Sequence, residues 1–287
     1  MKKSFLAWLS FFALTLCSLL WAAEKEIKPW FAFNKLNNLI GVLVIGGAVI
    51  FYILHAQKGK TLFIRRIAGL NAIDEAVGRA TEMGKPVLFL TGLSDVDDVQ
   101  TLAALSILGH VARKTAEYES DILVPCCRSV VMTTAQEVVK EAYLKAGVPD
   151  SYKSENVRYL TDDQFGFVAG VDGIMLRDRP AANFYLGMYY AESLILAETG
   201  HSTGAIQIAG TAAVTQLPFF VVACDYTLIG EELYAASAYL SRDPKQVGSL
   251  KGQDLAKVTI LAAILLAVLL ITIFPHTTDF ITNLFKT

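Results

Sequence analysis

Residues Leu36 to Ala56 carry no Lys, Arg, Asp or Glu over 21 positions. At about 1.5 Å per residue such a helix spans roughly 30 Å, the thickness of a bilayer's hydrocarbon core. The run therefore predicts a transmembrane helix over 36–56. A second uncharged run, Val258 to Phe274, is 17 residues long, lacks a polar face and is closed by Pro275, so it predicts another span. Composition agrees: only 18% of residues are charged and the mean hydropathy is +0.45. A purely soluble domain carries roughly a quarter of its residues as charges.

A third apolar run, Phe5 to Ala23, follows Lys2 and Lys3 and ends in Trp21-Ala22-Ala23 before Glu24. Basic start, apolar middle and small residues at the end predict a signal peptide over 1–23. The bulky Leu20 and Trp21 weaken the cleavage motif and leave an uncleaved first helix open, with Cys17 as apolar filler. Cations then set the orientation. Lys58, Lys60, Arg65 and Arg66 follow the first span, whereas Arg242, Lys245, Lys251 and Lys257 precede the second. By the positive-inside rule residues 58–257 face the cytosol, 24–35 form a short periplasmic segment and 275–287 a periplasmic tail. Lys58, Lys60, Arg65 and Arg66 are placed to meet anionic lipid headgroups.

Between the spans lie about 200 residues, enough for one domain, with 19 Lys+Arg against 24 Asp+Glu. That acidic balance argues against a nucleic-acid partner, which needs a basic face. Helical spacing over Asn71–Met83 stops at Gly84, and Val87–Leu90 follows as a buried strand. Ser94 with Asp97 resembles a capping box opening a helix to about Tyr118, Asp121–Val124 reads as a strand, a helix ends at Gly147, and Val157–Leu160 reads as a third strand. This alternation predicts an α/β fold: a single cytosolic domain with a mostly parallel sheet and flanking helices, inserted between two transmembrane helices.

The second half reads less regularly. Thr161 with Gln164 can cap a helix, but Gly166, Gly170 and Gly173 oppose one, and Gly173–Leu176 reads as a strand. Phe184–Glu198 shows a helical face. Ala205–Ala209 and Pro218–Ala223 read as a buried strand pair in a stretch, Gly200–Cys224, that has no formal charge; a further membrane segment there is the alternative. Glu231–Leu240 reads as a helix.

Lys85-Pro86-Val87-Leu88-Phe89-Leu90-Thr91-Gly92, Ala197-Glu198-Thr199-Gly200, Gln216-Leu217-Pro218-Phe219-Phe220-Val221-Val222 and Gly230-Glu231-Glu232-Leu233-Tyr234-Ala235-Ala236 lie between the two spans. In this order they resemble a bacterial membrane-protein family described only as a domain of unknown function. The resemblance covers most of residues 60–270 and implies a bacterial inner-membrane location. It carries over no catalytic residues.

In open parallel sheets ligands bind beyond the carboxyl ends of the strands. The loops there supply Thr91, Gly92, Ser94 and Asp95, then Arg128, and Thr161-Asp162-Asp163. One reading is a crevice where helix-start amides and Arg128 hold an anionic group; the other is that Ser94 and Asp97 cap a helix and Arg128 pairs with a carboxylate. His201 and Thr203, in Gly200-His201-Ser202-Thr203-Gly204, complete the ligand-binding candidates. That turn could wrap an anion or simply join helix to strand. No phosphate-loop or dinucleotide glycine pattern is present. The sparse cysteines Cys126, Cys127 and Cys224 are expected as free thiols, the vicinal pair structural. The aspartates read as helix-start charge, a divalent cation requiring the two acidic loops to adjoin. No cofactor, metal or catalytic group is assigned. The expected role is a self-associating scaffold or ligand-responsive interaction module, a homo-oligomer bound to membrane lipids. The alternative is a membrane-anchored enzyme binding a small molecule or nucleotide.

Overall fold

The structure, a computed structural model, describes residues 36–59 and 67–273. The signal segment, the segment 24–35, Lys60, Arg65, Arg66 and the tail after Ile273 lie outside the described residues. The chain divides into two units. One is Val49–Asp254; the other contributes residues up to Ala48 and from Leu255 onward.

Helix α1 (Leu36–Gln57) and the last helix, α9 (Pro244–Ile273), are long and apolar enough to cross a membrane, their most apolar 18-residue stretches having mean hydropathies of 2.4 and 2.6. α9 starts well before the expected Val258, because Pro244 opens it with the φ a first helical turn needs. The two helices pack together within Val49–Asp254. A Cβ on Gly248 would lie 2.5 Å from Ile53 Cα, and one on Gly252 would lie 2.5 Å from Val49 Cα. Only glycines spaced by one helical turn permit so close a backbone approach.

The α/β domain is built on six parallel strands: β1 (Val87–Leu90), β2 (Ile122–Cys126), β3 (Val157–Tyr159), β4 (Ala182–Leu186), β5 (Ile206–Thr211) and β6 (Tyr226–Ile229), ordered β3-β2-β1-β4-β5-β6. Parallel neighbours need a crossover, and helices supply it: α3 (Val99–Glu117), α4 (Ser129–Ala146), α5 (Gln164–Asp178), α6 (Glu192–Ser202) and the short α7 (Leu217–Ala223). α2 (Ala68–Glu82) precedes β1 and α8 (Glu231–Ser241) follows β6. This strand order is that of a doubly wound sheet, with its switch point between β1 and β4.

The period-two alternation of strands sorts the core onto two faces. Val87 and Phe89 face Ile73, Leu108 and Val139 of α2, α3 and α4, whereas Leu88 and Leu90 face Phe167, Leu196 and Phe220 of α5, α6 and α7. The expected parallel α/β architecture is what forms, but four local readings change. Phe184 belongs to β4, not to a helix. All five β4 residues are buried between β1 and β5 with both faces covered, so the strand carries no alternation to identify it. Gly173–Leu176 is helical, because Phe167, Val168, Val171, Ile174 and Met175 make one buried stripe that outweighs the glycines. Pro218–Ala223 is helical, Pro218 occupying the first turn of α7, and β6 was not anticipated. The cap of α3 is Asp98, whose side chain accepts from Gln100 N at 2.9 Å, rather than Ser94 with Asp97.

Candidate functional site: an acidic cleft at the carboxyl ends of the strands

At the switch point the loops after β1 and β4 touch backbone to backbone. Leu93 N donates to Met188 O at 3.0 Å and the Tyr189 hydroxyl to Leu90 O at 3.4 Å. A Cβ on Gly92 (φ +81°) would lie 2.6 Å from Met188 O, and one on Gly187 (φ +125°) 2.4 Å from Thr91 O. The crevice in which doubly wound domains seat a dinucleotide's pyrophosphate is thus filled by the chain itself. Buried Gln100 of α3 ties the loop after β4 to the end of β5, accepting from Thr211 Oγ1 and Ala212 N and donating to Met188 Sδ.

Beside this closure, over β1, β2 and β3, opens a cleft of about 570 Å³. The loop after β1 lines it with Leu93, Ser94, Asp95, Asp97 and Asp98; the end of β2 gives Cys127 and Arg128; Asp162 and Gln164 come from the loop after β3 and the start of α5, and Tyr190 from the loop after β4. Arg128 ties the walls together, its Nε donating to Leu93 O at 3.2 Å and its guanidinium lying 3.6 Å from Asp162 Oδ1. Behind the wall Glu192, 0% exposed, accepts from Tyr190 N at 2.7 Å and from Gln164 Nε2. Four lining carboxylates, those of Asp95, Asp97, Asp98 and Asp162, face one guanidinium, so the cleft is acidic.

Of the residues predicted from the sequence, Ser94, Asp95 and Arg128 meet in this cleft, joined by Asp162. Arg128 pairs with a carboxylate, the plainer of its two readings. Thr91 is buried and Gly92 is spent on the switch-point contact. His201 and Thr203 end α6, which in a parallel sheet returns them to the amino ends of the strands, away from the cleft. There Ser202 Oγ and Thr203 Oγ1 donate to Thr199 O and Gly200 O of their own helix. Lys58 is exposed just past α1. Tyr190 and Glu192 were missed, since reading β4 as helix hid the loop that follows it, and Gln164 was read only as a helix cap.

Cys126 and Cys127 are free thiols on opposite faces of the sheet, so they cannot share a ligand. Burial pushes Cys126 up to about 12, with Cys127 adding to it, and Cys224 to about 12; Cys127 rises to about 11, again chiefly through burial. Thiols held protonated are poor nucleophiles at neutral pH. Folding keeps these protons on above the unfolded-state value of 9.0, so the folded state binds more protons than the unfolded chain and stability falls as pH rises from about 9 to about 12. Thermal melts across that range should show the fall, and it should be shallower in Cys126→Ala and Cys224→Ala. Among the described residues no three His, Cys, Asp or Glu side chains group as metal ligands.

These features define a class: a doubly wound α/β domain with a self-sealed switch point and an acidic cleft, carried between two long apolar helices. The chain belongs to the family described as a domain of unknown function (DUF6754), whose model matches residues 26–283. Comparisons with curated proteins and with solved structures found no match.

Proposed function

We propose that this protein is a ligand-responsive module of the bacterial inner membrane, its α/β domain in the cytosol and its cleft the place where a small molecule binds. The cleft carries the reading: it lies at the carboxyl ends of the strands, its volume is that of a small-molecule site, and the segments after four strands converge polar groups on it. Binding is favoured over catalysis because the one thiol lining the cleft is held protonated by burial and the His201–Ser202 pair lies elsewhere. The cations after α1, and Arg242, Lys245, Lys251 and Lys257 just before and in the first half of α9, support the cytosolic orientation.

A second reading, self-association, rests on a different surface. Leu194 and Ile195 of α6, Val221 and Val222 of α7, and the adjoining Val214 are exposed, Val222 at 87% and Val214 at 77%. Two anchors in one membrane raise the local concentration such a face would need.

One experiment separates the two: mass measurement of the nanodisc-extracted complex with identification of co-purified small molecules. A stoichiometric small molecule that is lost in the Asp95→Asn, Asp162→Asn double variant supports the ligand reading. A uniform large oligomer without one sinks it in favour of association.

A further inference from the structure

The charges around the cleft are far from balanced. Arg128 is the one cationic side chain lining it, and Asp162 already pairs with it. Asp95 and Asp97 have no ion-pair partner among the described residues; Asp95 instead accepts from Val96 N. Behind them stands Glu192, wholly buried, whose two donors, an amide side chain and a backbone N–H, are both neutral. Among the described residues no Lys, Arg or His lies within ion-pair distance of it. A carboxylate taken out of water without a counter-charge is costly. Both residues that hydrogen-bond Glu192 are themselves cleft-lining, so the compensating charge is missing at the cleft's own wall.

An anion or a neutral polar molecule in this cleft would desolvate these carboxylates further and give nothing back. A single metal ion needs several ligands converged on one point, whereas here the charges are spread along the walls and, among the described residues, no three group together. A molecule carrying several separated positive charges meets both conditions. Tyr190, half exposed at the rim, adds an aromatic face that suits an alkylammonium.

We infer that the cleft binds a small organic polycation, a linear polyamine, with its ammonium groups distributed between Asp95, Asp97 and the Glu192 side of the wall. The inference rests on the cleft being the protein's binding site. Glu192 is a positioning residue within it: it holds Gln164 and Tyr190 in place and contributes negative potential from behind.

The test is calorimetric titration of spermidine into the full-length protein in phosphatidylcholine nanodiscs, whose zwitterionic lipid does not itself collect polyamines. Saturable binding at one site per chain, weakened by salt, is expected. Asp97→Asn should reduce affinity roughly tenfold, and Glu137→Gln, on the exposed face of α4, should leave it unchanged. Glu192→Gln keeps the shape and one acceptor, so it should also lose affinity while its melting temperature without spermidine does not fall. A merely structural Glu192 would instead lower the melting temperature and spare binding by the protein that stays folded. No binding up to about 1 mM spermidine, or binding indifferent to Asp97→Asn, overturns the polyamine assignment. If ATP binds instead and Arg128→Ala abolishes that binding, the cleft remains the binding site and only the ligand's charge was assigned wrongly. If neither probe binds and no small molecule co-purifies, both readings fall.

Discussion

Replacing Gly187 by alanine is expected to destabilise the domain by about 3–5 kcal/mol, a fall of about 10 °C or more in melting temperature for a domain of this size. Two costs combine. The backbone at Gly187 has φ +125°, which a residue with a Cβ rarely adopts, and the added carbon would lie 2.4 Å from Thr91 O and 2.9 Å from Thr91 C. Neither neighbour is the end of a flexible side chain that could swing aside; both are backbone at the end of β1, in the middle of the sheet. Gly84→Ala provides the comparison, because Gly84 also has a positive φ, +61°, but open space where its Cβ would sit. That variant should lose only about 1 kcal/mol. Thermal melts followed by far-ultraviolet circular dichroism would measure both. Equal losses would mean that the loops after β1 and β4 are not in contact, and would reopen the switch-point crevice to a ligand.

Tyr185→Ala should cost about 3–5 kcal/mol through the cavity it leaves. Tyr185 is wholly buried in β4, its ring stacked on Phe220 at 5.9 Å and its hydroxyl 2.9 Å from Gln207 Oε1 and 3.1 Å from Leu196 O. Tyr185→Phe keeps the ring and removes the one proton that Gln207 Oε1 and Leu196 O share, a loss of about 1–3 kcal/mol. The difference between the two variants in denaturant unfolding isolates the packing contribution of the Tyr185 ring, stacked on Phe220 of α7 and set against α5 and α6. If Tyr185→Phe matched Tyr185→Ala, the hydroxyl network rather than the ring would be holding this face together.

Both residues sit on or beside β4, the strand that the sequence hid. Val87–Leu90 stands between Pro86 and Gly92 and is followed by a polar loop, whereas Ala182–Leu186, though flanked by Pro180 and Gly187, is followed at once by Met188-Tyr189-Tyr190 and then α6, with no polar stretch to separate strand from helix. The helical spacing from Phe184 onward merges two elements: Phe184 and Tyr185 are buried in β4, whereas Leu194 and Ile195 are exposed on α6. The same merging concealed Tyr190 and Glu192. Asp95, Arg128 and Asp162 were legible because each follows a recognisable strand, and a parallel sheet directs such residues to one end. Whether they met there, and with what net charge, was not.

Local sequence determined what depends on neighbours along the chain: two uncharged runs long enough to span a bilayer, helices stopped by Gly84 and Gly147, strands at Val87 and Ile122, and the alternation that demands parallel crossovers. Tertiary structure decided what depends on residues distant in sequence. The strand order brings β4 against β1, so that Gly187 and Gly92 seal the switch point; the same order swings His201 to the far end of the sheet and gathers Asp95, Asp97 and Asp162 around one paired arginine. The two kinds of information differ because backbone propensity and hydrophobic period act over a few residues, whereas packing and charge balance are sums over whatever the topology brings together.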